Sequence, residues 1–569
     1  MVKLSFFNRY HSKYYISLSL IFFLYFLLRL PYLNKELVQE ETYIVRSSTA
    51  ISQTGYPEIY MGETTPQIIN LWKPPGLVFI LAASFKTFGV HEWSARLVPL
   101  IFGFFQALLV VWFISKTQKH QALTKMIVAL AIYAVHPFLI QAHTQIDIDG
   151  AVYSFFSSLF MVYTWFIIKK HPSLLNYLWW GLLIFLNFSI KFEPTLILLF
   201  LLVLFLILEK KYRQIVVYLS LAFIFISTFF LLFYLYNLSF GHPEVTLMPV
   251  NTIINVFGNR FIPAIISTNQ LSLSRWSLST LLLLKISSWI TGPALAMSTI
   301  ILIRKASLYK FLVNSLYRYM AIWGMGFFSV YLFFGYVGFF PRYFAPAFFP
   351  LIILITSLGV DQLNEKPRIS YSTTVLTITF LIVWSFIIRL GYFGGNPIVD
   401  LSQHQQIVRL LVTYFFSLFI FYLAKANLGI GQVLIVSFCW LTGLLYWQSL
   451  LLLSKPQSLT NSYGEYGFRL AGNLLKSKLN PSTDIVITHD SNGYYYGGNY
   501  YDYEFLTSYP ENQSQFNQFI ENNSISAISL SHSILDHQQE NPQSLLFNYL
   551  HTHQPRSIIT SGTIITLFY

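Results

Sequence analysis

The chain has 569 residues, of which 55% are hydrophobic, 18% aromatic and only 10% charged, and its mean hydropathy is +0.55. A water-soluble globular protein carries about 25% charged residues, so this composition excludes one and asks for the bilayer as solvent. The net charge of +13 arises from 36 Lys and Arg against 23 Asp and Glu, but the basic residues sit in small clusters between apolar runs, which speaks for membrane topology and against a nucleic-acid partner.

In chain order, the first apolar run, ISLSLIFFLYFLLRLPYL, follows MVKLSFFNRYHSKYY. It is long, aromatic-rich and without a small-residue cleavage site, so it reads as a retained first span and not as a signal peptide. Apolar runs of about 20 residues, enough for a helix to cross a hydrocarbon core about 30 Å thick, then recur. They predict thirteen spans, near residues 15–31, 97–115, 126–142, 150–168, 174–190, 193–208, 215–236, 278–303, 319–337, 344–360, 372–390, 407–424 and 430–453. With a cytoplasmic amino terminus, short loops of one parity hold about 18 of the 36 basic residues, among them Lys116, Lys119, Lys169, Lys170, Lys210, Lys211, Arg304, Lys305 and Arg318. That is the asymmetry the positive-inside rule asks for. It puts the 32–96 loop, the turn at Asp147 and Asp149, the 237–277 loop, the turn at Arg342 and the carboxy-terminal tail on the outer side.

The 32–96 loop opens with NKELVQEETYIVRSS, which gathers Glu36, Glu40 and Glu41, with Glu58 following. Such carboxylates are either solvated charges where a helix leaves the bilayer or groups placed for chemistry there. Downstream, LWKPPG sets Trp72 and Lys73 just ahead of an apolar segment, a setting suited to a lipid headgroup phosphate. Asp147 and Asp149 precede a span, where carboxylates also favour a helix N-terminus for structural reasons. Arg260 and Arg275 in the 237–277 loop fit phosphate contacts or surface anchors. His91, His136, His143 and His242 fall near the same face, and a divalent cation shared with Glu63 stays open as a cofactor, although no His-x-x-x-His spacing supports it. The single cysteine, Cys439, rules out disulfides within the chain and Cys-based zinc sites.

From about residue 455 the chain becomes rich in Asn, Ser, Gln, Tyr and Gly. GEYGFRLAGNLLKSKLN has helical periodicity, TDIVITHD reads as a buried strand, QFNQFIENN and SISAISLS repeat helix then strand, and SLLFNYLHTH and RSIITSGTIITLFY add a helix and a hairpin. Residues 455–569 are therefore expected to form a small soluble α/β domain behind a membrane domain of residues 1–454. DSNGYYYGGNYYDYEF reads as a surface loop, with glycan stacking as the alternative.

The order of a first span, EETY, Gly55, KPPG and FGVHEWSARL resembles the amino-terminal region of GT-C membrane glycosyltransferases, specifically the protein O-mannosyltransferase and lipid A aminoarabinose transferase superfamily. HTQIDIDGAVYSFFSSLFM is similar to that family's second acidic turn, IKFEPTLILLF to its Lys-then-Pro entry to a later span, and PRYFAPAFFPLII to its basic, Tyr, Pro segment before a late helix. The likeness covers most of residues 15–360, and the tail resembles the family only in being an extracytoplasmic domain. It implies a polytopic α-helical GT-C fold and a multi-pass enzyme of the plasma (inner) membrane. Such an enzyme moves a sugar from a polyprenyl-phosphate donor to a hydroxyl of lipid A, a protein or an envelope glycan. On that resemblance Glu40 stands where the family usually has Asp as general base, with Glu41 as alternative, and Asp149 is catalytic or orienting. Lys73 and Arg342 neutralise the leaving phosphate, Lys191 more weakly because it can snorkel, and Tyr43, Asp147, Arg260 and Tyr343 bind substrate. A multi-pass transporter and a non-catalytic envelope scaffold are the rival readings; the clustering of acidic residues at helix ends and the lack of an internal repeat weigh against transport.

Overall fold

A computed structural model describes residues 12–38, 40–59, 75–118, 121–169, 172–247, 313–333, 345–363, 466–502, 525–540 and 546–569, with short pieces at 68–69, 250–251, 254, 392–393 and 396–397. Twelve helices come first among the described residues. They are α1 (Ser12–Leu27), α2 (Glu40–Thr54), α3 (Gly76–Phe88), α4 (Glu92–Thr117), α5 (Ala122–Val135), α6 (Pro137–Ala142), α7 (Ala151–Lys169), α8 (Leu174–Ile190), α9 (Phe192–Leu208), α10 (Tyr212–Ser239), α11 (Ser315–Phe333) and α12 (Ala345–Leu363). The two-residue strands β1 (Glu58–Ile59) with β2 (Ile68–Ile69), and β3 (Tyr392–Phe393) with β4 (Asn396–Pro397), form two small antiparallel pairs. The chain divides into two compact units, one of Met1–Tyr32, Trp72–Leu77 and Arg96–Ser454, the other of Leu33–Leu71, Val78–Ala95 and Lys455–Tyr569.

The first unit is helical. Among the described residues α4, α7 and α10 are long and apolar enough to cross a membrane, and shorter apolar helices include α1, α5, α8, α9 and the first part of α12. The expected spans at 278–303, 372–390, 407–424 and 430–453 lie outside the described residues. α1 packs on α5, α7 on α8, α8 on α10, and α11 on both α9 and α12. Lipid tails are as apolar as Leu, so such helices associate through close fit and buried polar contacts. Both are present: Phe160 lies 5.3 Å from Trp180, whose Nε1 donates to Thr164 Oγ1 at 2.9 Å, and the Tyr319 hydroxyl donates to the Met161 carbonyl at 2.7 Å.

Two features of residues 32–142 differ from expectation. The span expected at 126–142 is broken at His136, because Pro137 has no N–H to continue the α5 ladder. The 32–96 segment, expected as a loop, contains α2 and α3. The 13 residues of α3 rise only about 20 Å, too short to cross a bilayer. α2 forms despite few apolar residues because Glu41 meets the Val38 N–H at its start, Gly55 ends it at φ +85°, and tertiary partners hold it; Ser47, Ser48 and Thr49 satisfy their hydroxyls on the Tyr43, Ile44 and Val45 carbonyls without strengthening the helix.

The second unit holds a five-stranded sheet made of β5 (Ile485–Thr488), β6 (Tyr500–Asp502), β7 (Ile525–Ser531), β8 (Ser557–Ser561) and β9 (Ile564–Phe568), in the order β6-β5-β7-β9-β8. β5 runs parallel to both β6 and β7, while β7, β9 and β8 are antiparallel neighbours, so the hairpin expected from RSIITSGTIITLFY is present. The helices of this region are α13 (Phe468–Lys478), α14 (Asp490–Tyr496), α15 (His532–Glu540) and α16 (Phe547–Thr552). Apolar residues of strand and helix, such as Ile487, Ile528, Leu530, Leu535 and Leu567, close over one another. Val38, from before α2, is buried in the same unit with Phe468, Ala471 and Ile564. The segment expected as a tyrosine-rich surface loop is instead α14 and β6, and Tyr496 and Tyr500 are buried. Gly497 makes this possible: its φ of +67° ends α14 in a left-handed turn that leads into β6. The helix expected at QFNQFIENN lies outside the described residues.

Candidate active site

In the first unit the geometry starts from the break before Pro137. Tyr133 and Ala134 belong to the last turn of α5, and their carbonyls lose helical partners where the helix stops. Arg29, fully buried just beyond α1, supplies the missing donors: its Nη1 donates to Ala134 O at 2.9 Å and to Tyr25 O at 3.0 Å, and its Nη2 donates to Tyr133 O at 3.3 Å. The negative end of the α5 dipole favours that cation. Arg29 Nε also donates to His143 Nδ1 at 3.3 Å, which places the ring proton on Nε2, 3.2 Å from the Tyr133 hydroxyl. Tyr133 in turn donates to Gln106 Oε1, and Gln106 Nε2 donates to Ser154 Oγ at 2.8 Å and Ser158 Oγ at 2.7 Å. Ser154 Oγ donates to the Ala345 carbonyl at 3.1 Å, so this buried chain of polar groups runs from the end of α1 to the residue that opens α12. Gly103 leaves the room for it, since a Cβ there would lie 2.5 Å from the His143 ring and 2.6 Å from the Tyr25 hydroxyl.

His143 opens a wholly buried turn of residues 143–150 that carries the two aspartates. Arg96 of the SARL segment donates to the Thr144 carbonyl at 2.9 Å, and Asp147 Oδ1 accepts the Asp149 N–H at 3.0 Å, closing an Asx turn before α7. Asp149 forms an ion pair with Lys191, the extended residue between α8 and α9, and both are buried. Lys191, a weaker candidate for the leaving phosphate because it could snorkel, instead holds its ammonium against the Asp149 carboxylate, and removing either partner would leave the other charge buried and uncompensated. Glu193 stands in the first turn of α9, and the buried Tyr153 lies within electrostatic reach of Asp149 and Glu193. Gly76, directly after the KPP segment, would place a Cβ 2.8 Å from the Ser189 carbonyl, so the chain leaving KPP abuts the corner that holds Lys191.

In the second unit the acidic segment has other partners. Glu36 accepts from the backbone N–H groups of Tyr466, of Gly467 at 3.1 Å and of Arg469 at 3.0 Å, capping the N-terminus of α13 from a distant part of the chain. Glu41 Oε2 accepts the Val38 N–H at 3.2 Å, the reach-back of a capping box at the start of α2. Tyr43 donates its hydroxyl to Asp502 at 3.1 Å. Arg46 pairs with Asp490 at 3.0 Å, and Thr42 and Tyr500 also donate to that carboxylate. Burial, the largest influence, opposes the charge on Arg46, but Asp490 and Tyr500 outweigh it and raise its pKa.

Of the residues expected to form the site, Asp147 and Asp149 belong to the first unit, with Lys191 beside Asp149, and Glu41 and Tyr43 belong to the second. Glu40 opens α2, and its side chain lies outside what is described. Lys73, Arg260, Arg342 and Tyr343 are outside the described residues, as is Glu63 of the candidate cation site. Among the described residues no group of three or more His, Cys, Asp and Glu could hold a metal ion. The partnership of Arg29, Arg96, His143 and Lys191 with the aspartate turn was missed. Its signals were present: Arg29 is an ionisable residue at the end of an apolar run, and Pro137 announces orphan carbonyls for a donor to meet.

Residues 72–240, which include the aspartate turn and Lys191, match the family model for dolichyl-phosphate-mannose-protein mannosyltransferase. The chain resembles GT-C glycosyltransferases of that kind. Its fold is similar to that of ArnT from Cupriavidus metallidurans: the apo crystal structure matches with a TM-score of 0.61 at 12% identity, covering 98% of each chain. The structure of the same protein bound to undecaprenyl phosphate matches with a TM-score of 0.62, also at 12% identity and 98% of each chain. No curated protein matches the sequence. A membrane-embedded helical fold of this GT-C type accounts for the composition and for the long apolar helices.

Proposed function

We propose that this protein is a membrane glycosyltransferase that moves a sugar from a polyprenyl-phosphate donor to a hydroxyl acceptor at the outer face of the plasma membrane. The observation that carries the reading is the buried Asp149–Lys191 pair, lying inside the segment matched by the mannosyltransferase model. The ArnT-like fold supports it, and so does undecaprenyl phosphate as the lipid bound by that structural relative.

In the reaction, the acceptor oxygen forms a bond to the anomeric carbon of the sugar while the bond from that carbon to the phosphate oxygen breaks. The acceptor proton passes to a carboxylate, and the leaving polyprenyl phosphate gains a negative charge. Glu40 is the proposed base, since Glu41 already accepts from the Val38 N–H and Glu36 caps α13. Positive charge developing on the sugar ring is stabilised by Asp149, which Lys191 holds in place, with Asp147 orienting the turn. Lys73, Arg342 and Arg260 offset the charge on the leaving phosphate, and Tyr43 and Tyr343 line the substrate. The acceptor, whether lipid A, a protein or an envelope glycan, is read by its hydroxyl. Residues 455–569 form an extracytoplasmic domain in this reading, and the thirteen-span topology sets its side.

The test uses purified protein in lipid nanodiscs, a panel of radiolabelled polyprenyl-phosphate sugars and an envelope extract. Wild type is expected to transfer one sugar; Glu40→Gln and Asp149→Asn are expected to lose about 10²–10⁴-fold in kcat with donor binding kept, and Glu41→Gln to lose far less. Wild-type protein that binds and consumes no donor would refute the reading.

A further inference from the structure

Within the second unit, α2 meets the tail's sheet at the carboxyl end of β5. β5 has a parallel neighbour on each side, β6 and β7, and its carboxyl end leads directly into α14, beside the end of β6. Asp490 at the first turn of α14, Tyr500, and Asp502 at the end of β6 meet residues of α2 there.

The contacts match in detail. Thr42 and Arg46 are four residues apart and therefore share one face of α2. Both reach Asp490: Thr42 through its hydroxyl, Arg46 through an ion pair at 3.0 Å and a contact from Nη2 to the Asp490 carbonyl at 3.4 Å. Arg46 also donates to the Tyr500 hydroxyl, and Tyr43 donates to Asp502 at 3.1 Å. Ahead of the helix, Leu37 N–H donates to the Tyr495 hydroxyl at 2.7 Å, and Glu36 caps α13. Asp490 is almost fully buried, and so is most of Arg46. A buried ion pair with this many hydrogen bonds is costly to break from one side, which makes the seat of α2 specific.

We propose that the carboxyl end of β5, with α14 and β6, is a socket for the chain's own α2, and that Asp490 is a positioning residue for sugar transfer. It acts by fixing the first turn of α2, where Glu40 and Glu41 lie. The role in transfer rests on the reading of Glu40 as base; the docking does not.

The experiment uses the full chain in nanodiscs, with wild type, Asp490→Asn, Asp490→Glu and Thr42→Val. Two quantities are measured: hydrogen–deuterium exchange over residues 40–54, and the kcat and KM of sugar transfer. In Asp490→Asn, exchange over α2 should accelerate and kcat should fall by about 10²-fold, the loss that a misplacement of about 1 Å brings, while KM for the donor stays within about twofold. Asp490→Glu should recover part of the kcat. Thr42→Val keeps the buried charge pair, so it reports a smaller change of the same kind if loss of the Asp490 charge unfolds the tail. Unchanged protection of α2 in both Asp490→Asn and Thr42→Val would overturn the docking. Released α2 with undiminished kcat would overturn the positioning role. A wild type with no transferase activity would refute the glycosyl-transfer reading and the role in catalysis with it, leaving the exchange data to judge the socket.

Discussion

Four glutamates lie between residues 36 and 58, and two of them meet quite different donors. Glu36 accepts from backbone N–H groups at the start of α13, Glu41 from the Val38 N–H, and Glu58 sits in β1, paired across to Ile69. Tyrosines behave likewise. Tyr496 gives its hydroxyl to the Asp484 carbonyl at 3.0 Å, and its pKa is pushed up to about 12, first by burial and then by the Asp484 charge. The folded state therefore keeps this proton above pH 10, where the unfolded chain has lost it. Stability should fall as the pH rises from 10 towards the folded value. The difference in absorbance at 295 nm between wild type and Tyr496→Phe should show phenolate appearing only near the upper end of that window; ionisation of Tyr496 at its ordinary value would contradict the buried placement.

At the scale of elements, the break between α5 and α6 shows how one residue dictates a neighbourhood. Pro137 interrupts the ladder, the carbonyls of Tyr133 and Ala134 are left to find donors, and Arg29 provides them while also engaging His143. The position of the aspartate turn thus depends on a residue far away in sequence. Arg29→Met should cost about 1–3 kcal/mol through buried carbonyls left unpaired, read as a lower unfolding midpoint in detergent, with Arg29→Lys recovering part of it. An unchanged midpoint in Arg29→Met would mean that the carbonyls are satisfied without it. The helices themselves were legible: the runs at 150–168, 174–190 and 193–208 agree with α7, α8 and α9 to within two residues, since long apolar segments have one low-energy form in lipid. The helicity of α2 was not legible, because its stability comes from caps and from a tertiary partner and not from an apolar stripe.

For the whole molecule, the division into two units does not follow the chain. Residues 33–71 and 78–95 group with the tail, so the unit that holds the carboxy-terminal sheet also takes in a segment from near the amino terminus. Val38 contributes to the tail's core and Glu36 to a helix cap within it. Residues 466–569 expressed alone should consequently be poorly ordered, with narrow amide dispersion in NMR spectra and dye-binding apolar surface. A peptide of residues 33–56 added in trans should restore dispersion. A well-dispersed spectrum from the fragment alone would show that its own core suffices.

The sequence by itself determined the solvent of this protein, the places of the long apolar helices described here, several strands and helices of the tail, and the resemblance to GT-C glycosyltransferases. Each of these is written in local composition or in the order of short motifs. Only the tertiary structure decided that Lys191 pairs with Asp149, that Arg29 supports the turn bearing the aspartates, and that Asp490 holds α2. A buried charge takes the partner that distant chain segments bring within hydrogen-bonding reach, and spacing along one strand of sequence carries no record of that encounter.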